Sequence, residues 1–120
     1  MTDTASPHRD EHRAGGLYLV MISVHGLIRG RDLELGRDAD TGGQTKYVVE
    51  LAQALARRPE IDAVDLITRR IDDRRVSSDY DREIEPLDEE GAARIVRLRC
   101  GGERYRRKET LWPYLDELVP

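Results

Sequence analysis

The chain has 120 residues, of which 37% are charged and 38% hydrophobic, and a formal net charge of −4. This is the length of one small domain, its longest apolar run is far short of a membrane span, and a mildly acidic balance argues against a general nucleic-acid binder. A single cysteine, Cys100, excludes an internal disulfide framework and a multi-cysteine zinc site.

Residues 1–16, MTDTASPHRDEHRAGG, are polar and without periodicity. They read as a disordered leader with no secretory h-region, and the expected location is cytoplasmic. Leu17 to Val24, LYLVMISV, is apolar at every position but Ser23. Strand length without a polar face predicts a strand buried on both sides, as in a parallel sheet. His25 to Thr41 is a long connection containing Gly26, Gly30 and Gly36, and loops of this length in compact domains tend to be functional or disordered. Gly42 to Arg58 reads as a helix with Tyr47, Leu51 and Leu55 on one stripe beside Val48, stopped by Pro59. Ala63 to Thr68 is a second short strand. Arg69 to Ala93 is polar and reads as a mostly irregular, solvated excursion. Arg94 to Arg99 is a third strand, and Glu109 to Val119 a second helix that tolerates Pro113 only in its first turn. The order β, long loop, α, β, excursion, β, α is the opening of a doubly wound α/β domain.

Two segments carry the signs of chemistry. The first is Asp40-Thr41-Gly42-Gly43-Gln44, where the long loop meets the first helix. Thr41 and Gln44 match a capping box. Glycines in a first helical turn cost roughly 1 kcal/mol each against alanine, and their bare backbone lets a ligand approach N–H groups at the positive end of the helix. A plain cap with two flexible glycines is the structural alternative. The turn is neither a dinucleotide fingerprint nor a phosphate loop of the GxxxxGK[ST] type. The second segment is Arg97 to Lys108, RLRCGGERYRRK, with six basic residues against Glu103. It begins at the end of the third strand, on the same sheet edge as the first segment, and its cations suit a phosphate; a solvated basic surface is the alternative. His25, directly after the first strand, is a candidate sugar contact, or a histidine bonded to backbone. Cys100 reads as a packed thiol. The three histidines have no metal-ligand spacing, so neither a metal nor a cofactor is expected.

The segment ISVHGLIRGRDLELGRDADTGGQTKYVVELAQALA, Ile22 to Ala56, resembles the N-terminal glycosyltransferase part of the sucrose-phosphate synthase family, with HGLIRG, LELGRD and TGGQ as its most telling words. VDLITR (Val64 to Arg69) and KETLWPYLDE (Lys108 to Glu117) continue the resemblance, which covers about residues 17–118. Sucrose synthase shares the TGGQ turn but differs in the loop before it. The resemblance implies an incomplete Rossmann-like N-terminal half of a retaining GT-B glycosyltransferase, with three parallel strands and crossover helices. It implies transfer of glucose from UDP-glucose to fructose 6-phosphate in the complete enzyme. The implied substrate-binding residues are Gly42, Gly43 and Gln44 in the cleft, Lys108 at the sugar phosphate and, more weakly, Arg104. The chain departs from the family wording at Arg99-Cys100 and Arg107, where prolines are common.

The resemblance also implies that residues 17–120 are part of an acceptor-binding domain, that no catalytic residue lies in them, and that the partner is a C-terminal donor domain, with no nucleic acid or membrane. The chain alone is then expected to transfer no glucose, because donor and acceptor must be held together. The alternatives are a fragment of a sucrose synthase-like enzyme and a non-catalytic anion-binding module that pairs with another chain. In an open sheet of order 3-2-1-4 the first strand needs a fourth beside it; three strands alone leave LYLVMISV with one unpaired backbone edge.

Overall fold

The computed structural model describes residues 16–30, 33, 43–106 and 108–118. Among these residues four strands form one sheet, β1 (Leu17–Ile22), β2 (Ile61–Arg69), β3 (Ile84–Pro86) and β4 (Ala93–Leu98), with one α-helix, α1 (Gly43–Ala56), between β1 and β2. The sheet order is β1-β2-β4-β3. β1 and β4 run parallel to β2 on either side of it, so the C-terminal ends of all three lie on one edge of the sheet. β3 pairs antiparallel with β4. The three expected parallel strands are present as β1, β2 and β4; the corrections are that the antiparallel β3 makes the sheet a mixed one of four, and that among the described residues only the first crossover, α1, is an α-helix. The excursion is also less irregular than its polarity predicts. It carries β3, a 3-10 turn at Ser78–Asp81 capped by Ser77, and a small second core in which Tyr80 packs with Leu27 and Ile71.

β2 is central and buried along nearly its whole length. Its Val64 and Leu66 face α1 and join Ala93 and Ile95 of β4 and Val49 and Ala52 of the helix in the main core. Full burial of each large aliphatic side chain stabilises by about 1.5–3 kcal/mol. The helix meets the sheet through Thr45, Val49 and Ala52, a stripe rotated from the expected one. Leu51 and Leu55 are half-buried, and Tyr47 is exposed. Small side chains at 45 and 52 let the helix axis lie close to the strands, and the tyrosine is turned outward. Arg57 and Arg58 donate their amides three residues back, to Ala54 and Leu55, a tightening that ends α1 before Pro59.

β1 departs from the prediction of a strand buried on both sides. Leu19 and Met21 pack against the core, but Val20 and Ile22 on the opposite face are 48% and 67% exposed. Among the described residues β1 pairs only with β2 and forms the edge of the sheet. That open edge agrees with the order 3-2-1 anticipated for the first three strands. The C-terminal segment is the remaining difference. Residues expected to form an α-helix form two 3-10 helices, Lys108–Thr110 and Trp112–Leu118. Pro113 has no N–H to give and disfavours α geometry at the residue before it, and the segment stays in short turns.

Candidate functional site

The C-terminal edge of the parallel strands collects the residues of interest. At the end of β1 the chain turns through Ser23, whose amide still bonds to Ile67 of β2. The Ser23 hydroxyl is buried and accepts a hydrogen bond of 3.1 Å from the Gln44 side-chain amide. This bond ties the first turn of α1 to the end of β1 and fixes the direction of Gln44. Gly43 opens the helix, and among the described residues nothing beyond its chain neighbours and its own helix stands within 4 Å of where its Cβ would be. His25 sits two residues past Ser23, half-buried, with an Nδ1 that is buried and has no hydrogen-bond partner among the described residues. Gly42 and Thr41 lie outside the described residues, and so does the capping box that Thr41 would complete.

At the end of β4 the chain enters Cys100-Gly101-Gly102-Glu103-Arg104. Both glycines have positive φ, 71° and 80°, a region costly for residues with a Cβ. The loop is built around Arg69, the last residue of β2, which is buried. Its Nε donates to the Cys100 carbonyl at 2.6 Å, and one terminal nitrogen donates to the carbonyls of Gly102 at 3.3 Å and Arg104 at 2.6 Å. Burial pushes the Arg69 guanidinium below its ordinary value. On its other side the loop is held by carboxylates. The Gly101 amide donates to Glu117, and the Tyr105 amide to Asp73. Asp73 is in turn gripped by Arg75, whose guanidinium is the main cause of its carboxyl lying far below the usual range. Arg106 donates to the Gly101 carbonyl and lies over the Tyr114 ring.

The described basic side chains of this segment, Arg97, Arg99, Arg104 and Arg106, do not act together. Arg97 is wholly buried on the opposite side of β4 from the loop, where it pairs with Glu85 and donates to the Ile28 and Arg82 carbonyls. Arg99 pairs with Glu103. Arg104 is exposed, and its carbonyl is turned inward to Arg69. Lys108 begins the first 3-10 helix; its side chain lies outside the described residues. Cys100 is buried, bonds through its thiol to the Tyr114 carbonyl, and has its acidity reduced by burial. Gln44 is therefore tied to Ser23, two residues before His25 at the end of β1, while Arg104 and the start of the Lys108 turn belong to the loop after β4, with β2 between them. Sequence reasoning missed Ser23 and Arg69, whose partners lie 21 and 31 or more residues away, and it read Arg97 as one of the cations suited to a phosphate, where the structure buries it against Glu85.

A cleft of about 360 Å3 beside β3, lined by Arg29, Asp79, Glu85 and Leu87 among others, contains none of these residues. Among the described residues no group of three or more His, Cys, Asp or Glu could hold a metal ion, and no helix is long and apolar enough to cross a membrane.

No protein-family model matches the chain. Curated relatives include the "Probable sucrose-phosphate synthase 1" of Oryza sativa subsp. indica, 51% identical, and the "Sucrose-phosphate synthase" of Zea mays, 48% identical; each alignment covers 92% of this chain. "Sucrose-phosphate synthase 4" of Arabidopsis thaliana is 47% identical over the same share. The chain spans about 11% of the length of each of these relatives. Along nearly all of its own length, this chain is homologous to the sucrose-phosphate synthases.

Proposed function

We propose that these residues are the acceptor side of a retaining GT-B glycosyltransferase which, in the complete enzyme, moves glucose from UDP-glucose to fructose 6-phosphate. The observation that supports this best is the shared edge. The Gln44 turn at the end of β1 and the arginine-centred loop at the end of β4 lie at the C-terminal ends of parallel strands, where open α/β sheets bind ligands. In this reading Gly42, Gly43 and Gln44 stand between acceptor and donor phosphates. The positive end of α1 and the bare glycine backbone favour negative charge there. Lys108, helped by Arg104, holds the sugar phosphate. His25 offers its unpartnered Nδ1 to a sugar hydroxyl. The nucleotide sugar is bound by a donor domain that these residues do not include, so the 120 residues transfer nothing on their own.

The test is to place this chain in the Zea mays sucrose-phosphate synthase in exchange for the matching segment. With UDP-glucose and fructose 6-phosphate the hybrid should form sucrose 6-phosphate, and the 120-residue chain should form none. Lys108→Ala in the hybrid should weaken fructose 6-phosphate about tenfold to a hundredfold, the scale of one charge-assisted hydrogen bond, and Gln44→Ala should lower turnover. A folded hybrid whose kinetics ignore both substitutions would refute the assignment.

A further inference from the structure

The loop 100–104 has an unusual interior. Peptide carbonyls at alternate positions, Cys100, Gly102 and Arg104, converge on one buried guanidinium. In a trans peptide the N–H points away from its own carbonyl, so the following amides, those of Gly101, Glu103 and Tyr105, are turned outward. Two of these reach carboxylates of other segments, Glu117 and Asp73. The positive φ of Gly101 and Gly102 permits this reversal of the chain. Arg69 itself is the end of the central strand, clamped by Arg70, whose amide bonds to the Leu98 carbonyl of β4. The central, buried strand of the sheet thus sets the position of the loop through one side chain.

We infer that Arg69 is the positioning residue of the acceptor site. It holds the loop from Cys100 to Arg104 so that Arg104, and the turn that starts at Lys108, are presented to the sugar phosphate before the ligand arrives. This rests on the proposed acceptor role of those residues. Arg69 does not touch the phosphate in this scheme. Its five N–H donors in a planar fork suit several carbonyls at once, whereas a lysine ammonium is a compact point charge. Preorganisation of this kind raises affinity by removing the ordering cost of binding.

Amide hydrogen exchange on the 120-residue chain at micromolar concentration, with and without fructose 6-phosphate, tests the inference. In the unsubstituted chain, fructose 6-phosphate should slow exchange across residues 101–108. Arg69→Met should speed exchange at Gly101 and Tyr105 about tenfold to a hundredfold, leave the Leu66 and Ile95 amides of the sheet unchanged, and abolish the ligand's effect at the same concentration. Arg69→Lys should restore part of both. If Arg69→Met unfolds the chain, Gly102→Ala decides instead. It strains the loop backbone at a positive φ, and among the described residues nothing beyond the chain neighbours lies within 4 Å of the added Cβ, so it should loosen the loop and weaken the ligand together. Absence of ligand protection in the unsubstituted chain overturns the acceptor role. Ligand protection that persists in full when the loop is loosened by Arg69→Met or Gly102→Ala overturns the positioning role alone.

Discussion

Tyr18 shows how one residue on the open face of the sheet takes its properties from two neighbouring strands. Its hydroxyl donates to Asp65 of β2, and the same carboxylate receives two hydrogen bonds from Arg94 of β4. Burial, and then the bond to Asp65, push the Tyr18 phenol from 10.0 up to about 12. The sign of the linkage follows. Between these values the folded chain keeps a proton that the unfolded chain has lost, so stability falls as pH rises from about 10 to about 12. Urea unfolding across that range should give a steeper loss for the unsubstituted chain than for Tyr18→Phe; equal slopes would show that the phenol is not coupled to folding. Legibility at this scale depends on distance along the chain. Gln44 could be picked from its own neighbours, the glycines and Thr41 before it. Arg69 could not, because its acceptors lie 31 to 35 residues away.

Among the elements, β3 is the one that sequence reading passed over. Three residues ending in proline, inside an acidic run, give no alternation to recognise. Its importance comes from Glu85, whose carboxylate pairs with the buried Arg97 at 2.8 Å and accepts the Gly30 amide at 2.8 Å. β2 was legible because its apolar run needs no partner to be read; its true ends, Ile61 and Arg69, extend past the run because pairing with β1 and β4 continues there. Removing one partner of a buried ion pair leaves the other charge uncompensated, at a cost of about 3–5 kcal/mol. Glu85→Ala should therefore lower the urea-derived stability by that amount. A loss below about 1 kcal/mol, the value of an exposed pair, would mean that water reaches Arg97 freely.

For the whole molecule, the order of β1, β2 and β4 was legible from the doubly wound pattern, but the environment of β1 was not. An apolar strand reads the same whether its second face is covered or open. Here Val20 and Ile22 face outward on a strand with one unpaired backbone edge among the described residues. Such an edge is a template for pairing with another chain. The 120-residue chain should therefore self-associate as its concentration rises, and Ile22→Lys, which adds charge at a position already 67% exposed, should shift it toward monomer without lowering stability. Sedimentation velocity over a concentration series reads both. A monomer at every concentration would show that the open edge is protected.

The Arg97 clamp also bears on how the protein is made. The Ile28 carbonyl is held by a side chain 69 residues later, and the Gly30 amide by one 55 residues later. At synthesis rates of roughly 5–20 residues per second, residues 28–30 spend roughly 3–14 seconds outside these contacts while the ribosome completes β3 and β4. The HGLIRG segment, which lies early in the sequence, is thereby among the last parts of the chain to be seated.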